Sequence, residues 1–150
     1  MALIDLISSD VIRLPLVSRA KYEIIRELVD ILRDAQKISD ADAVYDAVIE
    51  REEKGSTGLE DGIAVPHAKS DAVDDLTLAL GVAPAGVDFE ALDGEPSHLI
   101  FLLVAPHDKS GPHIEALAEI AKITRSRAFC QSIINATSTN RVADLFSDED

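Results

Sequence analysis

Four histidines, His67, His98, His107 and His113, carry most of the chemistry open to this sequence. His67 ends the stretch Gly62-Ile63-Ala64-Val65-Pro66-His67, an apolar run stopped by a proline. A strand driven toward the core and halted at Pro66 leaves an imidazole at its tip. Packing, metal ligation and nucleophilic attack are all open to a histidine so placed. His113 falls in the first turn of an expected helix opened by Gly111-Pro112. Free N–H groups and the positive end of the helix dipole favour an anion there, and the imidazole can donate one more hydrogen bond to it. His98 heads an apolar strand and reads as structural or as strand-end surface. His107 sits in the polar loop Pro106–Gly111 and reads as solvated.

Several chemistries lack their parts. Zinc sites use Cys or His at short spacings such as C-x2-C or H-x3-H. Here His107 and His113 stand six residues apart across a Gly-Pro break, and Cys130 is the one cysteine. No G-x-S-x-G elbow is present, and Cys130 on a late amphipathic helix reads as a buried, inert thiol. No phosphate-cradling G-x-x-x-x-G-K-[ST] or G-x-G-x-x-G motif occurs. A phospho-acceptor histidine needs less. Neutral imidazole has one free lone pair near pH 7 and can attack phosphorus without a strong base. It requires one fixed tautomer, a cation for the phosphoryl oxygens and donors arranged in advance. Arg51, Ser56 and Thr57 shortly before His67, and the helix start at 111–113, could supply them.

The elements that position these residues are legible from periodicity. Val11–Leu16 reads as an edge strand, because Pro15 cannot donate to a central ladder. Ser18 reads as a helix N-cap, followed by Tyr22, Ile25, Leu28, Val29 and Leu32 at helical spacing. A second helix is expected from Ser39, paired with Asp42 in a capping-box-like arrangement, with Ala41, Val44, Tyr45 and Val48 on its apolar side. The charged turn 50–54 and Gly55 close it. The pattern then turns extended, with strands expected at 63–65, 76–82 and 99–104 and turns at 83–86 and Asp93-Gly94. The run His98–Val104 suggests a strand buried on both faces. A helix led by Pro112 follows, with Ile114, Leu117, Ile120 and Ala121 inward, then short helices at 128–134 and 140–146. This order predicts an α/β fold, a mixed sheet flanked by helices on both faces. Residues 1–150 are expected to form one domain.

Composition narrows the partners. Acidic residues outnumber basic ones 28 to 14, giving a net charge of −14. Nucleic acid and anionic membrane surfaces both call for clustered Lys and Arg, so neither is expected. A partner with a basic face is favoured. Asp exceeds Glu and there are only six lysines, which also suits a protein living in high intracellular salt. No apolar run approaches the roughly 20 residues needed to span a bilayer. The N-terminus lacks the basic region of a signal peptide, and the lone cysteine suits the cytoplasm.

The block Arg51-Glu52-Glu53-Lys54-Gly55-Ser56-Thr57-Gly58 followed by Gly62–Ala68 resembles the signature of enzyme IIA domains of the fructose/mannitol/nitrogen-regulatory type, from the phosphoenolpyruvate-dependent sugar phosphotransferase system. Phe101–Pro106 and the helix from His113 to Ala121 resemble the same family's strand, loop and helix with its second histidine. The resemblance covers nearly the whole chain and implies the three-layer sandwich of that family. It implies that His67 accepts a phosphoryl group from the phosphocarrier HPr and passes it to a cysteine on a IIB domain, and so indirectly to a membrane IIC. It implies that Arg51 neutralises phosphoryl oxygens, that Thr57 positions the loop or donates to a phosphate oxygen, and that His113 donates to the phosphoryl group. No metal or organic cofactor is implied. Fructose uptake is the first expectation. A nitrogen-regulatory protein that controls partners by its phosphorylation state is the second, and a metal-dependent hydrolase of similar topology the third.

Overall fold

The strand Ser97–Ala105 is apolar on both sides, and the architecture follows from how each side is covered. In a computed structural model that describes residues 3–149, Leu99, Phe101, Leu103 and Ala105 point into one hydrophobic cluster. Ile100, Leu102 and Val104 point into another on the opposite face. With side chains alternating along a strand, such a segment is stable only where both faces are covered.

Helices supply that cover. Helix α1 (Lys21–Asp34) and α2 (Ala41–Glu53) lie over one face. Helices α3 (Ser110–Ile123), α4 (Arg127–Ile134) and α5 (Thr139–Glu149) lie over the other, with a 3-10 turn at Leu3–Asp5. The sheet between them runs β1 (Ile12–Arg13), β4 (Thr77–Val87), β5 (Ser97–Ala105) and β2 (Ile63–Ala64), with β3 (His67–Lys69) also paired to β5. Strands β4 and β5 are antiparallel, while β1–β4, β2–β5 and β3–β5 are parallel. The expected mixed sheet with helices on both faces is what forms.

Local chemistry shifts several boundaries. Strand β1 covers two residues rather than 11–16, at the sheet edge where Pro15 costs no ladder bond. Ser18 does not cap α1, because the Glu27 carboxylate takes the backbone N–H groups of Val17 and Ser18 and the helix begins at Lys21. Tyr22 stays exposed, and Ile24 takes the buried place. Asp40, not Ser39, caps α2 by accepting from the Ala43 N–H at 3.1 Å. The Ser39 hydroxyl instead donates to the Ala72 carbonyl. No turn forms at 83–86: β4 continues through Pro84 to Val87, with a register shift after Val82 that takes Pro84 out of the ladder. On α3 the inner face is His113, Ala116 and Ile120, with Ile114 exposed. The helix docks with the stripe His113, Ala116 and Ile120 toward the sheet, which turns Ile114 and Ala121 outward.

Candidate functional site

His67 opens β3, directly after the break that Pro66 imposes between two short strands on β5. Gly62, at φ +82°, starts the segment in a conformation that favours glycine. The Val65 N–H donates to the Thr57 carbonyl at 3.0 Å, and the Leu103 N–H donates to the Pro66 carbonyl at 3.0 Å. The backbone into His67 is therefore held from both sides. The His67 ring Nδ1 lies 2.8 Å from the Val65 carbonyl oxygen. A carbonyl can only accept, so Nδ1 carries the proton and Nε2 keeps a lone pair. The imidazole is set in one tautomer with its nucleophilic nitrogen free.

A buried polar chain stands behind that arrangement. The Glu52 carboxylate is completely shielded from solvent on the last turn of α2. Its Oε2 accepts from the Thr57 N–H at 2.7 Å, and its Oε1 accepts from the Thr57 hydroxyl at 2.5 Å. Lys21 Nζ from α1 pairs with Oε2 at 2.8 Å, supplying the countercharge a buried carboxylate requires. Contacts thus run from Lys21 through Glu52, Thr57 and Val65 to His67. With its hydroxyl committed to Glu52, Thr57 is placed to hold the loop. Sequence reasoning missed Glu52 and Lys21. Val44, Val48 and Glu52 recur every four residues on the buried side of α2, and that spacing was the available signal.

Two cavities meet at His67 and Arg51. One, of about 200 Å³, is lined mainly by Leu59, Ile63, Val65, Leu117 and Ile120, with Thr57 at its edge. The other, of about 450 Å³, is lined by Glu50, Arg51, Lys54, His67, Lys69, His107 and His113. Arg51 reaches it from the last turn of α2, with Nη1 donating to the Gly55 carbonyl at 2.9 Å. Its guanidinium keeps further donors for an anion.

His113 approaches from α3, its ring edge-on to His67 with centroids 5.5 Å apart. It is only 5% exposed, and its Nε2 has no hydrogen-bond partner. Leaving a buried polar group unpaired costs about 1–3 kcal/mol, so this nitrogen stands ready for one. Burial, and then the nearness of His67 and Lys69, push the imidazole pKa below its ordinary value. Neutral His113 can still donate from one nitrogen.

His107 also lines the cationic cleft, whereas His98 and Cys130 lie elsewhere. His107 is exposed, with its Nδ1 3.0 Å from Asp71, whose carboxyl is held below its usual range by that contact. The His98 ring lies 3.0 Å from the Ala83 carbonyl, in keeping with the structural one of its two expected readings. Cys130 is buried and its thiol pKa is raised by burial. Among the described residues no cluster of three or more His, Cys, Asp or Glu could hold a metal ion, and no helix is long and apolar enough to cross a membrane.

Comparison with known proteins matches residues 5–149 to the family described as phosphoenolpyruvate-dependent sugar phosphotransferase system, EIIA 2. The fructose-specific EIIABC component of Bacillus subtilis is 33% identical over the whole chain, which spans 24% of that protein. The fructose-specific EIIA component of Haloferax volcanii is 33% identical over 121 residues, covering 81% of this chain and 79% of that one. The crystal structure of the nitrogen regulatory protein IIA-Ntr from Neisseria meningitidis superposes with a TM-score of 0.87 at 27% identity, over 96% of this chain and 98% of that chain. Enzyme IIAMTL of Escherichia coli, in its complex with phosphorylated enzyme IIBMTL, shares the fold with a TM-score of 0.81 at 21% identity, over 95% and 97% of the two chains. The chain belongs to the EIIA 2 family of the sugar phosphotransferase system.

Proposed function

We propose that this EIIA 2 family member is a phosphohistidine carrier, one domain over residues 1–150, that takes a phosphoryl group from HPr onto His67 and passes it to a cysteine of a IIB partner for fructose uptake. The observation that carries this reading is the 2.8 Å hydrogen bond from Nδ1 to the Val65 carbonyl, which leaves Nε2 as the attacking nitrogen beside a cation-lined cleft. In the first step the Nε2 lone pair attacks phosphorus, and the donor's P–N bond breaks, returning an electron pair to the donor imidazole. In the second a IIB thiolate attacks the same phosphorus, and the bond to Nε2 breaks in turn. Each step exchanges one bond for another, and neither calls for a metal or an organic cofactor.

Arg51 neutralises the oxygens that carry charge in both transition states, and His113 donates from the opposite wall. Charge-assisted hydrogen bonds of this kind contribute about 1.5–3 kcal/mol each. Thr57 acts through the loop it holds. The carrier works in the cytoplasm, where its net charge of −14 steers encounter with a basic face on HPr. The same acidity suits high intracellular salt. Connection to the membrane is indirect, through IIB and its IIC. The IIB assignment draws support from the Escherichia coli complex named above.

The test is incubation with phosphoenolpyruvate, enzyme I and HPr. Wild type is expected to take up an acid-labile, alkali-stable label, and His67→Ala none. Label persisting on His67→Ala would overturn the assignment. A second reading, a nitrogen-regulatory protein whose charged state controls partner binding, is favoured by the likeness to the Neisseria meningitidis protein. Chasing the labelled protein with a fructose-type IIB separates the two. Transfer to the IIB cysteine supports transport, and retention of label on His67 supports regulation.

A further inference from the structure

Lys69 lies two residues beyond His67 on β3, so both side chains leave the strand on the same side while Ala68 is buried on the other. The two backbone positions are about 6.6 Å apart, within the reach of a four-carbon lysine stem. Lys69 is exposed, yet its ammonium is fixed, donating to the Ser110 hydroxyl oxygen at 2.6 Å where α3 begins. That hydroxyl accepts from Lys69 and keeps its own hydrogen for another acceptor. One turn further on stands His113, 5% exposed, with Nε2 unpartnered. The cleft they share with His67 is also faced by Arg51 and Lys54 from α2 and by His107, and Glu50 is the one acidic residue lining it. In a chain with twice as many acids as bases, this is a site built for an anion.

We propose that Lys69 is a phosphoryl-binding residue of the charged carrier, held beside the site by Ser110 until the phosphoryl group arrives on His67. The inference rests on the carrier reading above and adds to it a second cation, on a third element. Arg51 neutralises from α2, His113 donates from α3, and Lys69 neutralises from the strand that carries the nucleophile. No backbone change is required, since the ammonium exchanges a neutral hydroxyl for a charged oxygen, the stronger acceptor.

The test charges wild type, Lys69→Gln, Lys69→Arg and Ser110→Ala with phosphoramidate, which loads histidine without a protein partner, and with phospho-HPr. The phosphoryl group on each isolated protein is then titrated by 31P NMR. Losing a nearby cation should raise the titration midpoint in Lys69→Gln by about half a pH unit or more. The equilibrium yield of charged protein from phospho-HPr should fall about tenfold, the scale of one charge-assisted bond. Lys69→Arg should restore both, and Ser110→Ala should keep the wild-type midpoint. A Lys69→Gln protein that folds by circular dichroism but accepts phosphate from neither donor is the extreme of the same loss. An unchanged midpoint overturns the proposal, and a slower transfer from HPr alone would then make Lys69 a docking residue. Failure of the carrier reading is distinct, since wild type itself would then take no phosphate on His67.

Discussion

The two cavities that meet at His67 differ in what their walls are made of. The cationic cleft is walled by long side chains that project from element ends and strand surfaces: Arg51, Lys54 and Lys69. The apolar cavity is walled by Ile63, Val65 and Ile120, which belong to the main hydrophobic cluster on that face of the sheet. One wall is thus mainly surface side chains, and the other is part of the core. On the proposed reading, His67 between them draws charge stabilisation from long side chains such as Arg51 and Lys69, each held by one hydrogen bond, and takes its position from packed core.

Substitutions on the two walls should separate these roles. The largest effect is expected at Ile120, 1% exposed beneath the apolar cavity. Ile120→Ala should lower the unfolding free energy in urea by about 2–5 kcal/mol, while phosphoryl acceptance per folded molecule stays within about twofold. A collapse of transfer in molecules that remain folded would break the distinction. Arg51→Ala should do the reverse. Transfer from phospho-HPr should slow by about ten- to a hundredfold, equivalent to about 1.4–2.7 kcal/mol, with the melting temperature nearly unchanged. A normal rate would reduce Arg51 to a solvated helix-end charge.

The smallest effect belongs to His113, which lines the cationic cleft. Burial lowers its folded-state pKa below the ordinary 6.5, so the unfolded chain binds the proton more readily. Its contribution to stability is present in full above that ordinary value. It is lost as pH falls from there through the lowered folded value. Stability of the unphosphorylated protein should decline across that window, and the slope should flatten in His113→Gln. Equal slopes in the two proteins, followed by chemical denaturation, would mean that His113 is already satisfied.

Much of this was legible in the residue order, for physical reasons that differ from element to element. Leu28, Val29 and Leu32 announce α1 because a helix buries one stripe, and the unbroken apolar run before Ala105 announces a strand covered on both sides. Pro66-His67 announces a strand end, since proline withholds a ladder donor. What stayed hidden depended on long-range partners. Pro84 signals a turn, but pairing with β5 on either side carries the strand through it. Ser18 looks like a cap until Glu27, nine residues on, takes its amide. Glu52 sits in a run of charge that reads as solvated surface, and only Lys21 from α1 and Thr57 make its burial possible. Ile114 misleads because one residue of helix phase decides which side faces inward. Among the proposed site residues, spacing left His67 ambiguous, and the resemblance of the Arg51–Gly58 and Gly62–Ala68 blocks to the family singled out His67 and Arg51. The role proposed for Lys69 required knowing that a strand continues past the histidine.

The contacts from Lys21 through Glu52 and Thr57 to Val65 have a mechanical meaning. Every link belongs to α1, α2 or the segment leading into β3, whereas His113 is carried by α3 on the other side of the sheet. On the proposed carrier reading, the line of attack of Nε2 is referenced to the frame that also carries Arg51 and Lys69, and the His113 donor is mounted on a second. Sliding α3 along the sheet would change the gap between the rings without turning the nucleophile. In that reading the His113 share of the grip is adjustable apart from the aim, so an α3 grafted from a relative would retune that share while leaving the line of approach intact.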